Sequence, residues 1–545
     1  MPRADIGPRN STSSSATDVD AVVVGAGFAG LYAIHRLTAL GLRVQGVEKA
    51  AGVGGVWYWN RYPGARCDCE SYYYSYSFSP ELQEAWNWSL RYSEQPEILR
   101  YLEHVAERFE LRRLIRFGAA VTRASFDDTR SAWRVETSDG ETITTRFLIT
   151  AAGCLSDVHW PDIPGLESFE GRILHTAQWP HEQVSFAARR VGIIGTGASA
   201  VQAIPRIARQ AGRLTVFQRT PNWVLPARNV AASGDFTSWY KANYSDIRRR
   251  CLASGGAVPF DPPLGSAFGV SGEERQAIYE SLWAKGGMRF FTAFDDLFVD
   301  EAANETAQAF VRSKILASVE DPQTARKLTP HDHPIGVKRP PLEDGYYETY
   351  NRPNVTLHDL REHPIVEVDA KGVRTSDRHH PLDDLVLATG FDALTGAITS
   401  MDLIGRDGRN LKEKWRAGPS TFMGLGVSGY PNLFTITGPL SPSVLANMPT
   451  AVEQHVDWIA DCLSYMRRND LTLVEPTASA EREWTDHSDA VVSRTLYPRA
   501  ASSWYQGANI PGKARRFGVY VGGFSAYRER CVAIAANEYE GFQFA

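Results

Sequence analysis

The sequence predicts an α/β fold made of two strand-turn-helix units with a helical insertion. Three observations predict it: a G-A-G-F-A-G loop at Gly25 to Gly30, a G-T-G-A-S-A loop at Gly195 to Ala200, and alternating apolar strands and helical patterns that lapse between about Asn229 and Pro334. Each loop follows a short apolar strand (Ala21 to Val24; Val191 to Ile194) and opens a helix. Peptide N–H groups and the helix dipole then face a pyrophosphate, which the missing side chains let approach closely. Two such loops in the right setting predict two Rossmann-like dinucleotide-binding domains.

The first unit runs from Asp20 through the strand D-A-V-V-V, a helix from about Ala29 to Leu40 and a second strand ending at Glu48. That acid lies about 18 residues past Gly30, where a carboxylate binds ribose hydroxyls and disfavours a 2'-phosphate. The first nucleotide is therefore FAD or NAD. In the second unit a helix through Gln210 leads to the strand L-T-V-F-Q, which ends in Arg219-Thr220 with no acid. A guanidinium binds phosphate through charge-assisted bonds, so the second nucleotide is expected to be NADP(H).

The insertion is expected to hold helices at Phe236 to Cys251, Glu273 to Trp283 and Ala303 to Ser318. Strand patterns resume at N-V-T-L-H-D and at D-L-V-L-A-T-G-F-D. A last strand, L-F-T-I-T, precedes G-P-L-S-P-S and a helix from about Leu445 to Arg468. Tyr72, Tyr74, Tyr76 and Phe78 alternate as one face of a strand would.

At 545 residues the chain is too long for one core. The expected division is a disordered polar tail (1–19), a first FAD segment (20–157), a first NADP segment (158–229), the insertion (230–334), a second NADP segment (335–393) and a second FAD segment (394–545). With 43% apolar and 22% charged residues it has the composition of a soluble globular protein, and its net charge of −5 argues against nucleic acid and anionic membranes as partners. There is no apolar stretch of membrane-spanning length and no signal-peptide core, which points to the cytoplasm. A monomer or weak homo-oligomer is expected. The six cysteines lack metal-ligand or thiol-redox spacing apart from Cys67-Asp68-Cys69, reduced thiols are expected, and no metal site is read, including at His331-Asp332-His333.

Upstream of the second glycine loop, Phe169, Gly171, His175, Trp179 and Pro180 stand in F-x-G-x-x-x-H-x-x-x-W-P. This segment resembles the signature of type I Baeyer–Villiger monooxygenases, flavoenzymes that insert one oxygen atom of O2 beside a ketone. Sister flavin monooxygenases usually carry Tyr or Phe at the position of Trp179. A second signature matches through Gly54, Gly55, Trp57, Tyr62, Pro63, Gly64 and Asp68. The resemblance runs from about residue 20 to the C-terminus.

The resemblance implies non-covalent FAD, NADPH and O2 acting on a ketone, with sulfide or amine oxygenation as the alternative. FAD is expected on the loop residues Gly25, Gly27, Phe28, Ala29 and Gly30 and on Glu48. By resemblance Gly54, Gly55, Val56, Trp57, Asp68, Tyr74, Val121 and Met448 join them. NADPH is expected on Thr196, Gly197, Ala198, Ser199, Ala200, Val201, Gln202, Arg219 and Thr220, and by resemblance on Lys338, the second clamp on the 2'-phosphate. Trp504 would meet the nicotinamide nucleotide from a closing C-terminal loop.

By the same resemblance Arg339 is the active-site arginine beside the flavin, paired with and positioned by Asp68. The chemistry gives it a reason to be there. Reduced flavin and O2 yield a peroxyflavin that attacks the carbonyl carbon only as an anion, and attack leaves a tetrahedral oxyanion. A fixed guanidinium stabilises both and cannot surrender its proton to the peroxide. His175 is expected to orient the connection between domains and not to act as a base. Two other two-fingerprint proteins are weighed: a disulfide reductase, which needs a redox cysteine pair that Cys67 and Cys69 imitate poorly, and a non-catalytic NADPH sensor.

Overall fold

The computed structural model describes residues 17–545. The expected tail falls outside them up to residue 16, and Val19 already belongs to the first strand. In chain order the strands are β1 (Val19–Val24), β2 (Val44–Glu48), β3 (Ile115–Phe117), β4 (Val121–Asp127), β5 (Ala132–Thr137), β6 (Thr142–Thr150), β7 (Arg172–His175), β8 (Arg190–Ile194), β9 (Arg213–Gln218), β10 (Val355–Asp359), β11 (Ile365–Asp369), β12 (Gly372–Thr375), β13 (His379–Pro381), β14 (Asp384–Leu387), β15 (Asp402–Ile404) and β16 (Leu433–Thr435).

Two sheets carry the architecture. The first has the order β15-β4-β5-β6-β1-β2-β3, with β16 also on β6; the second is β10-β9-β8-β14-β7 and wholly parallel. Interleaving follows from which strands pair: β15 and β16, late in the chain, return to the first sheet, while β10 and β14 join β7, β8 and β9. Parallel strands buried on both faces read as continuous apolar runs, as V-V-V in β1 and V-G-I-I in β8 do.

Each glycine loop ends a central strand and opens a helix, Phe28–Ala39 and Ala198–Ala208. The first packs along the helix Met448–Arg468, where Tyr32 Oη donates to Asp457 Oδ1 at 2.8 Å and Arg36 Nε to the same oxygen at 3.0 Å. The insertion is helical as expected, but its first helix is two, Gly234–Ala242 and Tyr244–Ala253. The break lies at Asn243, with φ −114° and ψ 12° and its Nδ2 donating to Trp239 O at 2.8 Å, a side-chain competition with the backbone that ends helices.

The tyrosine-rich stretch is not a strand. Residues 72–78 run as turns and bends, and their alternating aromatics pack on different neighbours: Tyr72 on Phe236 and Tyr240 of the insertion, Tyr74 and Tyr76 on the first glycine loop, and Phe78 on Tyr32 and Phe109. Tyr76 Oη donates to Phe28 O at 2.6 Å, and the Tyr74 and Tyr76 rings each sit 5.1 Å from that of Phe28. No helix among the described residues is long and apolar enough to cross a membrane.

Candidate active site

Between the two sheets lies a cavity of about 1010 Å³, reached by both glycine loops. The loops are built alike. Gly25 has φ +105° and a Cβ there would fall 2.6 Å from Ala151 O; Gly195 has φ +113° and its Cβ would fall 2.5 Å from Ala388 O. Only glycine fits either turn. Gly27 and Gly197 are the N-caps of the following helices, and neither end is capped by a side chain, so the first-turn N–H groups remain free for an anion. Nothing lies within 4 Å of where a Cβ of Gly197 would point.

Most of the expected contact residues line this cavity: Gly25, Gly27, Phe28, Ala29, Glu48, Gly54, Gly55, Val56, Trp57, Asp68, Tyr74, Val121 and Met448 on one side, and Thr196 to Ser199, Gln202, Arg219, Thr220, Lys338, Arg339 and Trp504 on the other. Three do not. Gly30 sits behind its loop, where a Cβ would fall 1.8 Å from Gly25 O, so its absence of side chain serves helix-strand packing. Ala200 and Val201 face the apolar core beneath the second helix, both 0% exposed.

Glu48, at the end of β2, accepts from Ala26 N at 2.7 Å and Ala50 N at 2.8 Å. Burial raises its carboxyl pKa, opposed by those two N–H groups. Trp57 Nε1 donates to Tyr74 Oη at 3.2 Å, so these two residues brace each other at the cavity wall. On the opposite side, Thr196 Oγ1 donates to Thr220 O at 2.9 Å and ties the second glycine loop to the end of β9.

Gln202 does something the sequence did not suggest. Its Oε1 accepts from Tyr62 Oη at 2.9 Å and its Nε2 donates to Arg66 O at 3.2 Å. It thereby bolts the second glycine helix to the Tyr62–Asp68 loop. Arg66 in turn pairs with buried Glu343, whose carboxyl is pushed up to about 7 by burial.

Arg219 and Lys338 both line the cavity, and neither forms an ion pair among the described residues. Lys338 Nζ donates to Ser502 Oγ at 2.9 Å. Burial lowers the Lys338 pKa and the Arg219 charge lowers it further, although Asp332 opposes. Two cationic side chains facing one cavity suit an anionic group such as a phosphate.

Arg339 lies between the two halves. Its Nε donates to Asp68 Oδ2, one Nη to Asp68 Oδ1 at 2.7 Å, and the other Nη to Val444 O at 2.5 Å. Burial opposes its charge, but the Asp68 carboxylate outweighs this and holds the guanidinium well above its ordinary pKa. The Val444 carbonyl is aimed by a strained turn in which Leu440 has φ 65° and Ser443 φ 41°. Neither this carbonyl nor Ser502 could be found from sequence, because a backbone acceptor and a lone serine leave no signature. Tyr505, 1% exposed and interacting with Arg339, was visible only as the neighbour of Trp504.

His175 is 2% exposed and does not reach the cavity. Its Nδ1 accepts from Ala177 N at 3.1 Å, its Nε2 lies 3.1 Å from Thr389 Oγ1, and burial lowers its pKa. Cys67 and Cys69 are free thiols, and burial pushes Cys67 far above the ordinary thiol range, unlike a redox pair.

The cavity fits two dinucleotides. It has the volume of the largest ligand sites, two uncapped helix N-termini, and buried polar atoms without protein partners on its wall: Trp59 Nε1, Asn60 Oδ1, Asn222 Oδ1 and Asn509 Oδ1. Fold and site together define a flavoprotein oxidoreductase that draws on a second, nicotinamide dinucleotide.

A family model described as pyridine nucleotide-disulphide oxidoreductase matches residues 22–233. The chain is 42% identical over 532 residues to acetone monooxygenase (methyl acetate-forming) of Gordonia sp. (strain TY-5), covering 97% of this chain and 99% of that one. It is 41% identical to cyclohexanone 1,2-monooxygenase of Acinetobacter sp, covering 97% of each. Among solved structures, oxidized steroid monooxygenase bound to NADP superposes with a TM-score of 0.93 at 52% identity, over 96% of this chain and 99% of that one. The chain belongs to the Baeyer–Villiger monooxygenases, FAD-containing, NADPH-dependent enzymes that use O2 to convert ketones to esters or lactones.

Proposed function

We propose that this chain oxygenates apolar ketones at the junction marked by Arg339, taking ketone, O2, NADPH and a proton to ester or lactone, NADP+ and water. The observation that carries the reading is the Asp68-Arg339 fork placed where both glycine loops meet one cavity. When bound, the reduced flavin supplies the activated oxygen. The protein supplies the charge that this chemistry needs: a guanidinium fixed at three points, kept protonated by Asp68, facing the oxygen atoms on which negative charge develops. A preorganised donor of this kind is worth about 3 kcal/mol or more. Asp68 positions that group and holds its proton.

The binding assignments follow the two sides of the cavity. Gly25, Gly27, Glu48, Trp57 and Tyr74 hold the flavin nucleotide; Thr196 to Ser199, Arg219, Thr220 and Lys338 hold NADPH; Trp504 and Ser502 close the entrance. Gln202 serves as an interdomain bolt that keeps the nicotinamide side in register with the flavin side. Val444, Met448, Trp504 and Cys154 surround the Arg339 end with mostly apolar surface, which favours ketones carrying hydrocarbon substituents.

The test is a panel of linear, cyclic and aryl ketones with a sulfide arm, following NADPH loss and product together. Ester matching NADPH consumed is expected for at least one ketone class. Peroxide alone across the panel, or sulfoxide as the sole coupled product, overturns the reading.

A further inference from the structure

Beside the second sheet, away from the cavity's catalytic end, three chain segments converge on a cluster of imidazoles. His358 comes from β10, His363 from the loop after it, and Asp377 and His380 from the β12–β13 hairpin. One donor atom each from His358, Asp377 and His380 lies within 4.8 Å of the other two. His358 Nε2 is 3.7 Å from Asp377 Oδ1, and His363 Nδ1 is 3.9 Å from the same oxygen. We propose that His358, His380, Asp377 and His363 form a binding site for one divalent transition ion of the zinc class.

The geometry is close to what such an ion needs. Tetrahedral zinc with bonds of about 2.0–2.1 Å places neighbouring ligand atoms about 3.3–3.5 Å apart, so the separations of 3.7 and 3.9 Å to Asp377 would close by a few tenths of an ångström, and the remaining ones, up to 4.8 Å, by rotation of the partly exposed side chains. Imidazole with one carboxylate suits zinc, nickel and copper better than calcium or magnesium, which want oxygen. Burial lowers His358, and burial with the neighbouring His358 pushes His380 down to about 4.

A supporting shell is already in place. Thr375 Oγ1 donates to Asp377 Oδ1 at 2.7 Å and lies 3.0 Å from His380 Nε2, while Arg378 Nε lies 3.1 Å from Asp377 Oδ2 and leaves the other oxygen to the ion. The Phe217 ring meets both inner imidazoles edge-on, at 5.7 Å from His358 and 5.0 Å from His380. Loading would move the His358 proton from Nε2, where it faces His363 O at 3.2 Å, to Nδ1, with no net proton lost. His363, 43% exposed, and Asp377, 25% exposed, leave an entry path from solvent.

The ion would staple the hairpin to β10, which pairs with β9, the strand that ends beside Arg219. In sequence only His358 and His363 stand at a zinc-like spacing, H-x4-H, and the other two residues come from a hairpin that the fold brings beside them.

The experiment uses tag-free, FAD-loaded protein stripped of metal by dialysis, titrated with zinc chloride by calorimetry and assayed for retained metal. One zinc per chain is expected, with a rise in Tm on loading. His380→Ala and Asp377→Asn change part-exposed side chains and should keep full flavin content while weakening zinc at least ~10-fold, with no Tm response. Absence of saturable zinc in the wild-type protein overturns the proposal. So does unchanged stoichiometry and affinity in both variants, which would put the ion elsewhere.

Discussion

Arg219→Ala isolates the nucleotide assignment. Arg219, just after the end of β9, and Lys338, beside Arg339, both line the cavity, and the Arg219 charge adds to burial in lowering the Lys338 pKa. A hydrogen bond to a charged group contributes about 1.5–3 kcal/mol, so removing Arg219 should weaken NADPH by roughly 10- to 150-fold. NADH, which lacks the 2'-phosphate, should change by less than about twofold, because Arg219 then loses nothing it was holding.

The same substitution has a pH signature. Lys338 binds phosphate best when protonated, so NADPH affinity should decline as pH rises through its lowered pKa. Deleting the Arg219 charge raises that pKa and moves the decline to higher pH. The assay is flavin reduction under anaerobic conditions, titrating each nucleotide across pH. Equal losses for NADPH and NADH, or a decline that moves to lower pH, would refute the reasoning.

Gly25→Ala and Gly197→Ala should separate folding from binding. The first sets a methyl 2.6 Å from Ala151 O at φ +105° and is expected to yield little soluble, flavin-loaded protein; the second points into open cavity and should fold normally with weakened NADPH. Asp68→Asn should lower stability toward the lower end of the ~3–5 kcal/mol cost of breaking a buried pair, since Arg339 and Asp68 are 27% and 23% exposed. It should also slow ester formation, read by urea unfolding and product yield. His455 is held down to about 3 by burial, accepting from Thr437 N at 3.0 Å. The unfolded chain therefore takes up that proton first, so its stabilising contribution is complete above about pH 6.5 and falls as pH drops toward the folded value. His455→Gln should flatten the decline of Tm with acid; an unchanged slope contradicts this.

What was legible in the sequence was what is local. Both glycine loops, the acid closing β2 and the arginine after β9 lie within single strand-turn-helix units, where spacing determines geometry. The Asp68-Arg339 pair spans 271 residues, and only the family resemblance joined its members. Period-two alternation misleads at residues 72–78 because aromatic side chains docked on three different neighbours, the insertion, Phe28 and Tyr32, mimic a strand without ladder hydrogen bonds. Gln202 stands in the loop helix where a nucleotide contact is expected and lines the cavity, while its hydrogen-bond partners, Tyr62 and Arg66, arrive from the other sheet's loops and leave no local signal. Ala200 and Val201 follow the motif, but both side chains are buried in the core beneath the second glycine helix. The Val444 carbonyl is backbone, and no side-chain pattern announces it.

Arg339, held by Asp68, is expected to make oxygen transfer to the ketone possible. Anaerobic reduction followed by aerobic turnover in Arg339→Ala tests it most directly, with NADPH, ester and hydrogen peroxide measured in one sample. NADPH should still reduce the flavin, ester should fall at least ~100-fold, the loss expected for a donor worth about 3 kcal/mol, and peroxide should account for the NADPH consumed. Ester formed in proportion to NADPH, as in the wild-type enzyme, would contradict the account.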